Sequence, residues 1–248
     1  MLKKFNGIEI GKVKKNIKIQ NLYEKKYQYK LISLSKGKNF ESNKINIGSL
    51  ALMNNVNKNS KIIINDKIIN LSKYKFFIFN LKNLKIETNS KIILGLAGLR
   101  KQIKKSSLQK FSENEIYKVK KPWGYELWIN GQSPNYSFKK IFLKKGNRTS
   151  LQFHKKKIEA NFLFKGSAEL SLSRKNGKQE KTEIIQNIYK KKLSSGNFVN
   201  VNNYAVHRLK AISNIILFEV STPHLDDVIR LADDKKREDG RIHTEHKN

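Results

Sequence analysis

"GNRTSLQFHKKKIEANFLFKG", residues 146–166, is the stretch on which the fold turns. Polar and apolar residues alternate in "SLQFH", and the apolar run "ANFLF" follows a lysine-rich turn. On a β-strand, residues two apart face the same side, so Gln152 and His154 share one face while Leu151 and Phe153 take the other. Glu159 opens the next run. His207 stands much later, in "NNYAVHRLKAI", at the entry to another strand. In a small barrel these four side chains could converge. Two neutral imidazoles, a carboxylate and an amide oxygen make a competent site for a borderline divalent ion such as Zn2+, with a position left open for water or substrate. The competing reading is one ordinary histidine among surface lysines, and spacing alone does not separate the two.

Outward from this stretch, short apolar runs separated by turn residues recur along the 248-residue chain: "KYQYKLISLSKG", "YKFFIFN", "SKIILGLAG", "YSFKKIFLKKG", "AELSLSRKNGK", "TEIIQN", "NIILFEV". Helical periodicity is scarce. The pattern predicts an all-β protein, a sandwich or barrel. The Asn-Gly pair in "SRKNGK" predicts a hairpin turn. Segment 99–117 is polar, holds a candidate short helix in "SSLQKFSENE", and is expected to be a linker. "GSLALMNN" (48–55), "YKFFIFN" and "NSKIILGLAG" match "GSAELSLS" (166–173), "GNFVNVN" and "SNIILFEVST" in order and spacing, so two similar units in tandem are expected. The expected division is a β unit over 1–98, the linker, a second β unit over 118–235, and a charged tail over 236–248. All five histidines and six of the seven arginines follow residue 147. If the fold was duplicated, the chemistry was not, and the first unit is expected to lack a histidine metal site.

Composition narrows the function classes. The formal net charge is +32, which suggests a polyanion partner. Yet only seven of the 52 basic residues are Arg, and the lysines are spread along the whole chain. Nucleic-acid readers rely on Arg forks and on clustered patches, so a nucleic-acid partner is not expected. With no cysteine there is no disulfide, thiolate ligand or cysteine nucleophile. No apolar run approaches the roughly 18 residues of a membrane span, and "MLKKFNGIEIGKVKKN" has no continuous apolar core of a signal peptide. A cytoplasmic protein with no membrane partner is the expectation.

Gly146, Gln152, His154, Glu159 and Gly166 fit the first cupin motif, G-x5-[HQ]-x-H-x4-E-x6-G, at every position, and Gly196 and His207 fit the Gly and His of the second. With "KKPWGYELW" (120–128), "GNRTSLQFH" (146–154), "VHRLKAI" (206–212) and "FEVSTPHLDDVIRLADD" (218–234), residues 118–235 resemble the cupin domain of type II mannose-6-phosphate isomerases, a domain that often follows a mannose-1-phosphate guanylyltransferase domain. The resemblance implies a double-stranded β-helix, and a tandem of two such jelly-roll barrels (a bicupin) for the chain. It implies a divalent metal, zinc, held by Gln152, His154, Glu159 and His207. It implies a phosphorylated or nucleotide-linked sugar as ligand, aldose–ketose isomerisation in polysaccharide precursor synthesis, and a role for Arg148 in catalysis or substrate binding. A homodimer is the default assembly.

The chain departs from that pattern. Nothing resembles the guanylyltransferase nucleotide loop. "GNFVNVNNYAVH" lacks the Asp, Pro and second Gly of the usual second motif, and Asn161 stands where an aromatic is usual. A non-catalytic sugar- or metal-binding cupin, or a different sugar isomerase or epimerase, stays open. Trp123, Tyr125 and Trp128 are candidates to wall the barrel mouth and stack on a sugar, or simply to fill the core. Lys139, Lys140, Lys144 and Lys145 either attract an anion or form a solvated face. Arg208, next to His207, faces away and is expected to be structural. Asp226 and Asp227 are placed to cap a closing helix, "DDVIRLADD". His224, His243 and His246 read as tail residues.

Overall fold

The computed structural model describes residues 3–14, 17–131 and 133–246. The chain forms two compact units. One is Lys14–Tyr117; the other joins Met1–Val13 to Lys118–Asn248. Each is a pair of antiparallel sheets, and among the described residues no helix is long and apolar enough to cross a membrane.

The two units repeat one topology. In the N-terminal unit the larger sheet runs Ser107–Phe111, Phe76–Asn80, Ile47–Leu52, Ile92–Leu99, Gln28–Leu34, Ile19–Glu24. In the C-terminal unit the corresponding order is Ile8–Lys12, Asn197–Val201, Glu159–Lys165, Ile215–Ser221, Ser137–Leu143, Gly124–Asn130, with Lys3–Phe5 and Lys118–Lys121 added at the edges. The smaller sheets also correspond. Asn39–Ser42, Leu84–Thr88, Lys61–Ile64, Lys67–Asn70 matches Leu151–Phe153, His207–Ala211, Ser167–Ser173, Ile188–Ser194, beyond which the second unit adds Ile229–Ala232. The duplication is therefore real, but its phase differs from the expected one. Ile47–Leu52 lies between its neighbours as Glu159–Lys165 does, so "GSLALMNN" corresponds to "EANFLFKG" rather than to "GSAELSLS".

Strand alternation builds the cores. In Ser167–Ser173, Ala168, Leu170 and Leu172 are buried while Glu169 points out to Lys190. These three meet Ile141, Leu163, Val199 and Leu217 from the facing sheet in one apolar cluster, as face-to-face sheets require. Leu151 and Phe153 pack behind the small sheet with Ile184, Val206 and Leu231. In the N-terminal unit a larger cluster is filled by aliphatics and by Phe40, Phe77 and Phe79.

Four local expectations change. Residues 3–13 belong to the C-terminal unit, because Ile8–Lys12 pairs with Asn197–Val201. The expected linker contains a strand as well as a short helix: Ser107–Phe111 pairs with Phe76–Asn80, Leu108 rests on the apolar core, and the helix expected in "SSLQKFSENE" is confined to one 3-10 turn, Glu113–Glu115, capped by Ser112. The Asn176-Gly177 pair is not a tight hairpin turn. The strands on either side do pair, but "TEIIQN" between them contributes to a short helix, Lys181–Gln186, that buries Ile184. Finally, "DDVIRLADD" is no helix. Ile229–Ala232 is a strand beside Leu151–Phe153, since this places Leu231 in the apolar cluster.

Candidate metal centre

Gln152 and His207 face each other across the ladder between Leu151–Phe153 and His207–Ala211, so their side chains share a face. His154, fully buried, follows two residues after Gln152. Glu159 opens a strand of the larger sheet on the far side of the turn. Its Oε1 lies 3.2 Å from His154 Nε2 and its Oε2 lies 3.6 Å from His207 Nε2. The ligand atoms of His154, Glu159 and His207 all fall within 4.8 Å of one another. Gln152 Nε2 is 3.4 Å from His154 Nε2, and its Oε1 accepts from Ser150 Oγ at 2.8 Å. Turning that amide by 180° presents Oε1 to the site and keeps the hydroxyl bonded, because a hydroxyl both donates and accepts.

Both imidazoles are oriented from behind. His154 Nδ1–H donates to the carbonyl of Asp227, and His207 Nδ1–H donates to that of Ala205 at 3.1 Å. Each ring is thereby held with its Nε2 lone pair towards Glu159. Burial lowers the His207 pKa to about 4, against the pull of Glu159, so the ring is neutral at pH 7. Burial also opposes the Glu159 charge, but the Lys157 ammonium against it is the largest opposing influence, and the carboxyl is held well below the usual range. Lone pairs aimed at a carboxylate repel it unless a cation stands between them. The donor set therefore fits a divalent metal ion bound by nitrogen and oxygen.

Asp227 organises the turn between the ligand strands. Its carboxylate accepts from the backbone N–H groups of Lys155 (3.1 Å), Lys156 and Lys157 (2.8 Å). Burial works against that charge, but the three N–H groups prevail and lower its pKa. The side chain expected to cap a helix instead closes this turn.

A cavity opens beside the centre, lined by Gln152, Glu159 and His207 and walled by Trp123, Trp128, Glu126, Lys139, Lys157 and Glu219. Lys157 Nζ contacts Glu159 Oε1 and lies 3.2 Å from Glu219 Oε1. Burial alone would depress this lysine, but the two carboxylates raise its pKa above the ordinary value. Glu126 Oε2 accepts from Trp128 Nε1 at 2.7 Å and from Lys139 Nζ at 3.1 Å. Burial opposes its ionisation, yet Lys139 and Lys121 bring its pKa down to about 2.

Two expected site residues lie elsewhere. Arg148 forms a two-pronged bond with Asp234, Nε–Oδ2 2.7 Å and Nη2–Oδ1 2.8 Å, with both side chains nearly half exposed. The resemblance implied a place for it at the ligand, but it precedes the strand Leu151–Phe153 and the Asp234 carboxylate holds it outside the cavity. Tyr125 stacks on Phe142 at 5.2 Å. Strand alternation sends Glu126 and Trp128 into the cavity and Tyr125 to the opposite face; Trp123 does line the wall. The sequence reading missed Glu126, Lys157, Glu219 and Arg230, left Lys139 open between anion attraction and a solvated face, and gave Asp227 a different role. For Glu126 and Glu219 a signal existed, a lone carboxylate inside an apolar strand ("YELWI", "LFEVS") at inward parity. Lys157 had none among so many lysines.

In the N-terminal unit the positions equivalent by register are Ser42 for Gln152, Leu84 for His207 and Ile47 for Glu159. That unit has the barrel without the donors.

No family model matches the chain, and no curated protein does. Solved structures do. The protein Ylba from E. coli matches with a TM-score of 0.64 at 10% identity, over 88% of this chain and 92% of that one. Oxalate decarboxylase from Lactobacillus farciminis gives 0.57 at 11% identity over 93% and 86%. A mutant of the Bacillus subtilis oxalate decarboxylase OxdC gives 0.58 at 9% identity over 93% and 77%. At such identities the likeness shows the fold alone, and that fold is two cupin barrels in tandem, a bicupin.

Proposed function

We propose that the C-terminal unit is a zinc-dependent sugar-phosphate isomerase resembling mannose-6-phosphate isomerase, with Gln152, His154, Glu159 and His207 as ligands. The observation that carries this is the pair of Nε2 lone pairs facing one buried carboxylate beside a polar cavity. The bound ion would polarise the sugar carbonyl and hydroxyl oxygens. The isomerisation moves one proton from C2 to C1 and another from the C2 oxygen to the C1 oxygen. Of the three carboxylates lining the cavity, Glu159 would be taken by the metal, Glu126 is bound by both Trp128 and Lys139, and Glu219 is bound, among the described residues, by Lys157 alone. Glu219 is left to take the C2 proton and return it to C1. Lys157, bridging Glu159 and Glu219, holds that base against the metal ligand.

A second reading has one observation behind it. Lys157 already places a cation against Glu159, which suits a metal-free cupin that only binds a sugar. Metal content and conversion of mannose 6-phosphate to fructose 6-phosphate, for the wild type, His154→Ala and Glu219→Gln, decide between them. Near one equivalent of zinc and turnover are expected, both lost in His154→Ala, with only turnover lost in Glu219→Gln. Zinc without turnover would refute the isomerase; neither would refute the metal site.

A further inference from the structure

Six cationic side chains line the cavity, Lys121, Lys139, Lys157, Arg230, Arg237 and Arg241, against the three carboxylates of Glu126, Glu159 and Glu219. Five of the six rest on carboxylates. Lys139 has Glu126, Lys157 has Glu159 and Glu219, Lys121 has Glu245, Arg237 has Asp233 and Glu245, and Arg241 has Asp226. Arg230 is bound differently. Its Nη1 donates to the backbone carbonyls of Glu238 and of Gly240 (2.9 Å), and its Nε is buried without a partner. Its hydrogen bonds thus go to carbonyl dipoles, half withdrawn from water and beside a second guanidinium, Arg237, while Asp233, Glu245 and Asp239 act on its charge without a side-chain contact. Arg230 is also the ladder partner of Gln152. Opposed residues on neighbouring strands face the same way, so the guanidinium stands next to the metal centre on the same wall.

The geometry points to Arg230 as the centre of an oxyanion subsite that takes a phosphate monoester, with Arg241 and Lys121 as its flanks. With Glu245, Asp233 and Asp226 counted beside Glu126, Glu159 and Glu219, five of the six cations are offset, and among the described residues Arg230 is the one of them whose side chain no carboxylate contacts. A planar guanidinium with a free N–H edge suits phosphate oxygens better than a neutral hydroxyl. The subsite relies on the sugar-phosphate reading for the rest of its ligand but not for the anion. It fills the role that the exposed Arg148 does not.

The test is calorimetric titration of the full chain at constant ionic strength with inorganic phosphate, mannose 6-phosphate and mannose. Wild type, Arg230→Gln and Arg241→Gln are compared, with zinc content and melting temperature measured for each. Phosphate and mannose 6-phosphate are expected to bind and mannose to bind at least tenfold more weakly. Arg230→Gln should lose about 10- to 100-fold in phosphate affinity, the worth of a charged hydrogen-bond pair, with unchanged zinc content. If Arg230→Gln fails to fold, Arg241→Gln carries the test with a smaller loss in the same direction. Equal phosphate binding by wild type and variants would mean attraction to overall charge only and would overturn the subsite, as would no binding at all. Arg230-dependent phosphate binding without isomerisation would keep the subsite and discard the isomerase.

Discussion

Glu126→Gln puts the buried ion pair of the cavity wall to a quantitative test. The carboxylate and the Lys139 ammonium are about nine-tenths buried, 3.1 Å apart, with Trp128 Nε1 on the same oxygen. The glutamine keeps the shape and can still accept from Trp128, but it leaves Lys139 in the wall without its counter-charge. The carboxyl pKa falls from 4.5 to about 2 on folding, which corresponds to about 3 kcal/mol of stability at neutral pH. That agrees with the roughly 3–5 kcal/mol for removing one partner of a buried pair. The sign follows from the depressed folded value. The contribution is complete above about pH 4.5 and disappears as pH falls through about 2. At pH 3.5 the wild type should already have lost about 1.4 kcal/mol of it.

The assay is urea unfolding of wild type and variant at pH 7, 5 and 3.5, followed by tryptophan fluorescence. Both tryptophans, Trp123 and Trp128, belong to the C-terminal unit, so the signal reports that unit even if the other unfolds separately. The expected difference is about 3 kcal/mol at pH 7 and 5, narrowing at pH 3.5. A difference under about 1 kcal/mol at pH 7, or one that does not narrow in acid, would refute the reasoning. Either result would mean that Lys139 finds another partner or that water reaches the pair.

Asp227→Ala should cost about 2–4 kcal/mol by freeing three backbone N–H groups, and should weaken zinc binding about 10- to 100-fold through loss of the turn that carries His154 and Glu159; chelator competition and thermal melting check both, and wild-type zinc affinity would show that the turn holds itself. Gly124→Ala should destabilise by more than about 3 kcal/mol, because φ is +154° and a Cβ would lie 2.0 Å from the carbonyl oxygen of Phe142; a melting temperature within a degree of wild type would contradict the close approach. Arg148→Ala should cost under about 1 kcal/mol, as exposed pairs do, and leave zinc content and phosphate affinity unchanged; a loss of phosphate affinity would return Arg148 to the cavity.

What the sequence revealed and what it hid follow one rule. Strand parity is a local property, so Gln152 and His154 were readable as one face, and Glu126 and Glu219 could have been. The role of Arg148 came from the resemblance rather than from parity, and its ion pair with Asp234, 86 residues away, was not readable locally. Parity fails where two periodicities compete. "DDVIRLADD" has acids at both ends of an apolar middle, as a capped helix does, but Leu231 gains more by packing beside Leu151 and Phe153. Asp227 gains more from the three N–H groups of a turn about 70 residues away in sequence. Pairings across such distances leave no trace in local pattern. The tail was misjudged for the same reason: Arg237 and Arg241 look like solvated charge until Asp233, Glu245 and Asp226 are seen to hold them against the cavity.

The duplicated topology isolates what the site costs. Where the N-terminal unit has Ile47 and Leu84, the C-terminal unit has Glu159 and His207, at the same ladder positions of the same sheets. Leu84 joins the first unit's apolar cluster and Ile47 is half-buried. The polar choice places the donor set and a row of ion pairs within the same barrel. Each buried charge there needs a partner to offset its desolvation, and this explains why the cavity lysines come with carboxylates and why Asp227 and the carbonyls of Ala205 and Asp227 are spent on orienting side chains. A unit that accepts this cost at one end of its barrel is organised around a ligand, while its apolar twin supplies only fold.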